Sequence, residues 1–118
     1  EYDPGEMVYI LRATVPVLRG RLPLVVLEHV HAFPGQGVVS MWRMGYGSGL
    51  WAGIVAALGF KLLLVTPQRW KKVMLDGLPK GKGSSLIQAK RLFPSVEIAT
   101  HGQADALLLA EYARRIMP

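Results

Sequence analysis

Cysteine is absent from this 118-residue chain, which excludes disulfides and any thiolate zinc site. Acidic residues are scarce. Eight Asp and Glu stand against fourteen Lys and Arg, for a formal net charge of +6. That balance favours an anionic partner, nucleic acid first and an acidic membrane second. No apolar run is long enough to cross a bilayer, because "GLWAGIVAALGF" meets Lys61 before "LLLV" resumes. Neither an internal repeat nor a secretory signal is visible. What is plentiful is apolar side chain, at 51 % of residues, enough for one packed domain over 1–118.

Helix signals are clear at several points. "DPGEMVYILRATV" begins with Asp3 as a cap, Pro4 in the first turn and Glu6 at capping-box spacing. "TPQRWKKVML" places Thr66 as cap with Pro67 at the first position. "VVSMWRMGYGSGLWAGIVAAL" is a helix by its length, "SSLIQAKRLF" is one ending at Pro94, and "QADALLLAEYARRI" closes the chain with Arg114 and Arg115 near its C-terminus. "LPLVVLE" and "FKLLLV" are expected as short buried strands. "RGRLP" is a turn, while "HAFPGQG" and "DGLPKGKGSS" are loops and "SVEIATHG" a connector. The alternation is α/β, but two strands make a poor sheet alone. A partner or an absent N-terminal segment would supply the rest.

Five constellations carry possible chemistry. Glu28 ends an apolar strand, where an ionised carboxylate needs a hydrogen bond, an ion pair or a metal. Ligand sites of open α/β sheets lie beyond such strand ends. The bland reading is an exposed residue just past the strand. His101 and Asp105, four apart, share a helix face and can hold one divalent ion or orient a water. Against this, His101 can lie in the loop with Asp105 simply favouring the helix start. His29 and His31 share one strand face, as ligands or as groove-lining residues.

Gly45, Gly49, Gly53 and Ala57 recur every four residues as a smooth helical stripe. Gly53 and Ala57 are read as close packing on the sheet, and Gly45 to Gly49 as a place where DNA or a second subunit approaches. "GYGSG" is a weak phosphate-loop signal, and a nucleotide-binding α/β protein is the reading it would support. Arg69, Lys71 and Lys72 surround a Trp70 expected to be buried, and Lys80 and Lys82 lie between glycines. Such cations suit phosphate contacts.

In sequence order, "VVLEHVHAFPGQGVVSMWRMGYGSGLWAGI", "VTPQRWKKVML", "KGKGSS…AKRLFP" and "HGQADALLLAEY" resemble RuvC-like Holliday junction resolvases, chloroplast, bacterial and phage relatives among them. The resemblance covers nearly all of residues 22–115. It implies a ribonuclease H-like fold, a mixed sheet with helices on both faces. It also implies a homodimeric, magnesium-dependent endonuclease, with manganese as a substitute, that nicks four-way DNA junctions during recombination and repair. Glu28, His101 and Asp105 match three of the four acidic-type positions of that family's site. They would hold two divalent ions. Gln36, Gly45, Tyr46 and Gly47 fall in the region implied to meet the junction, with Arg69, Lys71, Lys72, Lys80 and Lys82 as further DNA contacts.

The family's first aspartate sits on an N-terminal strand in a "DPG" motif. The "DPG" at Asp3 to Gly5 opens a helix instead, only 25 residues before Glu28. The expectation is therefore an N-terminally truncated domain, lacking the first three strands and inactive or very weak by itself. The alternative is a non-catalytic nucleic-acid-binding module on the same fold. The expected setting is the cytoplasm of a bacterial or phage-infected cell, or an organelle, with no membrane partner.

Overall fold

The computed structural model describes residues 2–14 and 24–117, with the side chain of Lys82 outside the description. Seven elements follow in order: α1 Pro4–Thr14, β1 Leu24–Glu28, α2 Val38–Ala57, β2 Lys61–Val65, α3 Pro67–Met74, α4 Lys82–Leu92 and α5 His101–Ile116. The turn expected at "RGRLP" lies outside the described residues. The chain divides into two compact units, Glu1–Leu64 and Val65–Pro118.

In the first unit, β1 and β2 pair as a two-stranded sheet, and α2 connects them. The cap expected at Asp3 is present: its Oδ1 accepts from the Glu6 amide at 3.2 Å. α1 packs on α2, and α2 packs on β1. Burial is thinner than the apolar sequence suggests. All five residues of β1 are half-buried rather than buried, and in β2 only Val65 is fully covered. A strand with one neighbour and few covering elements has no other outcome.

One half of the glycine stripe, Gly53 and Ala57, departs from expectation. Gly45, Gly49, Gly53 and Ala57 are exposed, and a β-carbon added at any of the three glycines would meet nothing within 4 Å. Gly53 and Ala57 therefore do not pack on the sheet. The close approach falls instead on Gly47, buried under the ring of Tyr2. "GYGSG" is helical throughout, within α2, so it is no phosphate loop.

The second unit holds the denser core. α5 turns Ala104, Leu108, Leu109, Tyr112 and Ala113 inward at helical spacing, and α3 and α4 both pack on it. Trp70 is completely buried, as expected, and Met74, Val65 and Ala89 join it. Thr66 caps α3 by accepting from the Arg69 amide at 3.3 Å, with Pro67 at the helix start. Gln88 ties α4 to the end of α3 by donating to the Met74 carbonyl at 3.0 Å.

Candidate functional site

Two residues of the expected site are brought together in the second unit. His101 is the first residue of α5, two positions earlier than the sequence pattern suggests. The physical reason is a reciprocal cap. Thr100 accepts from the Gln103 amide at 3.1 Å, while the Gln103 side chain accepts from the Thr100 and Ala99 amides at 3.3 and 2.8 Å. The helix begins before the loop reading of His101 would allow, so His101 and Asp105 share one face.

Both line a basin of about 740 Å³ whose opposite residues come from the α3–α4 region. Lys71, Lys72 and Lys80 supply cations to its wall, and Asp76 and Ser85 complete the polar lining. Arg69 is exposed but does not line it. Lys82 is the first residue of α4 rather than part of a loop, because the helix starts before the serines.

Glu28 ends β1 as expected, half-buried, in the first unit. It lines a small hollow of about 220 Å³ with Tyr2, Met44, Gly47, Ser48 and Trp51. His29 and His31 do not share a strand face. The strand stops at Glu28 and both are exposed in the coil beyond it. The "HAFPGQG" loop turns at Pro34 and Gly35. Gly35 has φ of 86°, and the Gln36 amide donates to the Phe33 carbonyl at 3.2 Å. Proline followed by a positive-φ glycine is the type II signature. Gln36 is half-buried, with its amide nitrogen 3.9 Å from the Met44 sulfur.

Beside this, Tyr46 stands exposed. Its ring centroid lies 4.7 Å from that of Trp42 and 6.1 Å from that of Tyr2. These rings and Arg43 form an open aromatic hollow. The sequence reading singled out Tyr46 but missed Trp42, Asp76 and Ser85. Trp42 was legible as the residue one turn before Tyr46. The other two have no local signal.

Among the described residues, no group of three or more His, Asp or Glu is placed to hold a metal ion. His101 and Asp105 offer one imidazole and one carboxylate. That is a fit for a hydrated divalent cation, since magnesium is commonly bound through one or two carboxylates plus substrate phosphates and keeps several waters. The lysines beside them suit those phosphates.

The fold is that of a ribonuclease H-like α/β protein. It matches the Thermus thermophilus RuvC structure with a TM-score of 0.63 over 96% of this chain and 68% of that one, at 17% identity. In sequence, the chain is 31% identical over 111 residues to the chloroplastic Holliday junction resolvase MOC1 of Chlamydomonas reinhardtii, covering 87% of this chain. It spans 13% of the length of that relative. No family model matches. The chain thus resembles RuvC-like Holliday junction resolvases in both sequence and fold.

Proposed function

We propose that this chain is a RuvC-like nuclease domain of an endonuclease that resolves four-way DNA junctions by metal-dependent phosphodiester hydrolysis. The observation that carries the reading is the placing of His101 and Asp105 in one lysine-walled basin. The sequence resemblance to a Holliday junction resolvase supports the substrate, and the likeness to RuvC supports the fold that would carry it. An organellar setting is supported by the chloroplastic relative. No helix among the described residues is long and apolar enough to cross a membrane.

In this reading Asp105 and His101 hold a divalent ion, magnesium with manganese as substitute, and Glu28 contributes to a second one. When bound, such ions polarise the phosphoryl oxygens and supply a hydroxide-like nucleophile at neutral pH. The chain's own side chains do the rest. Lys71, Lys72 and Lys80 bind phosphate oxygens and orient the backbone in the basin. His101 is a ligand in this reading or helps to position the attacking water.

The domain works as a homodimer in this proposal. The supporting feature is the exposed face of α2, where Val38, Trp42, Gly45, Gly49 and Gly53 lie within one uncharged stripe. Glycines on such a stripe let a second backbone approach closely.

Manganese titration separates this reading from a non-catalytic nucleic-acid-binding module. Paramagnetic broadening centred on His101, Asp105 and Glu28, with preference for a four-way junction over linear duplex, is the expected result. Junction binding without any broadening at these residues would favour the binding module.

A further inference from the structure

Trp42 and Tyr46 stand one turn apart on α2 and are left 62 % and 45 % exposed. With Tyr2, itself 43 % exposed, and Arg43 they line the aromatic hollow, a space of about 590 Å³. That is within the range of small-molecule sites, roughly 300–1,000 Å³. Aromatic surface gathered round one open space is unfavourable to leave in water. The rings do not lie flat on one another. Trp42 and Tyr46 are tilted by 46°, and Tyr2 and Tyr46 by 54°, so ring faces stay open to a flat guest.

The lining selects that guest. Among the described residues Arg43 is the one charged residue of the hollow, and no carboxylate lines it. Rings alone would take a quaternary ammonium as well as a flat neutral ring. A guanidinium beside them repels a cation and attracts a phosphate. A flat ring carrying a phosphate is a nucleotide. Within a duplex both faces of a base are covered by its neighbours, so the nucleotide must be unpaired and unstacked.

The position of the hollow fits this use. At about 100° per residue, Arg43 and Tyr46 lie on one side of Trp42, and Gly45 and Gly49 on the other. The hollow thus lies beside the stripe assigned to a second subunit, with Trp42 at the border. Tyr2 is also a wall of the Glu28 hollow, so the two spaces adjoin.

We propose that Trp42, Tyr46 and Tyr2 hold one unpaired nucleobase by stacking, with Arg43 on its phosphate, beside Glu28. Stacking on aromatic faces accepts any base, so the site positions a nucleotide and does not read sequence. That the nucleotide comes from a four-way junction rests on the nuclease reading above; the stacking site itself does not.

The test compares labelled oligothymidylate with an abasic strand of the same length, which keeps the phosphates, by fluorescence anisotropy. The parent should bind the abasic strand about tenfold more weakly, as for one lost base–aromatic stack. Trp42→Ala should lose the same factor on oligothymidylate, and Trp42→Phe should keep most of it. Arg43→Gln should flatten the log–log salt slope by roughly 0.7, one phosphate of a single strand. Equal affinity of the parent for the two strands would overturn the site, and that comparison needs no variant. Saturable quenching of tryptophan fluorescence by tetramethylammonium, absent from Trp42→Ala, would show a cation cage and overturn it too. A second arm uses a four-way junction and a linear duplex. Base-dependent binding that needs Trp42, without preference for the junction, would keep the stacking site and remove the nuclease reading. Junction preference with equal binding of the two strands would do the reverse.

Discussion

The ring of Tyr2 closes over Gly47 so tightly that a β-carbon there would overlap its outer edge. The contact joins the start of the described chain to the middle of α2, and both residues line the Glu28 hollow. Gly47→Ala sets two effects against each other. Alanine favours the helix by about 1 kcal/mol, while the Tyr2 ring loses its seat. The ring is the far end of a half-exposed side chain, so it swings away rather than moving the helix. The expected outcome is a stability change within about 1 kcal/mol, with loss of the nuclear Overhauser contact between Tyr2 and Tyr46. A retained contact would show that the ring has another place to sit.

Gly49 gives the opposite case. An added β-carbon there meets nothing, so Gly49→Ala should stabilise dilute protein by up to about 1 kcal/mol in urea unfolding. Gly49→Leu should fold equally well yet weaken self-association, measured by light scattering. A Gly49→Leu chain that associates like its parent would move the dimer interface off α2.

Asp105→Asn keeps the size and helix position of the side chain but removes its charge. It should abolish manganese broadening at His101 and leave the fold intact, because the neighbours that build the core are Ala104, Leu108 and Leu109. Nicking of a four-way junction by any active form should fall by orders of magnitude, while junction binding persists. Unchanged manganese binding would take Asp105 out of the site.

Glu111 sets a pH dependence. Hydrogen bonds from Arg114, at 2.8 and 2.7 Å, and from Arg115, at 2.9 Å, hold its carboxyl at about 2 rather than 4.5. A lowered folded-state value means that the stabilisation is complete above pH 4.5 and is lost as pH falls towards about 2. Urea unfolding between those limits should show the loss, and Glu111→Gln should flatten that part of the curve. Arg114 is largely exposed, so added salt should shrink the effect. A slope unaltered by Glu111→Gln would assign it to other carboxylates.

Leu108→Ala tests the second unit's core. Leu108 is fully buried on α5 between α3 and α4 partners, and its truncation should cost about 2–5 kcal/mol. A smaller loss would mean that α5 relaxes into the space, which the shift of Trp70 fluorescence would report.

Much of the fold was legible because its signals are local. Asp3 with Pro4, and Thr66 with Pro67, marked helix starts through hydrogen bonds that reach only three residues. Glu28 at a strand end could be placed by its apolar run alone. The errors came where burial decides. Gly53 and Ala57 were assigned to packing on the sheet from their spacing, yet spacing cannot say which face is covered. His29 and His31 were given a strand face that ends one residue too early. His101 joined α5 because Gln103 reaches back to the Thr100 amide, a side-chain choice that propensity does not specify.

By itself the sequence determined the alternation of helices and strands, the inward face of α5, the cationic character of the α3–α4 region and the resemblance to junction resolvases. Each rests on residues close together in the chain. Only the tertiary structure decided that Gly47 is the glycine of close approach and that the Ser84 hydroxyl closes back on the Pro79 carbonyl. It also decided that Lys71, Lys80, Ser85 and Asp105 share one basin. These are outcomes of α3 and α4 packing on α5, contacts between residues far apart in sequence whose geometry no local pattern encodes.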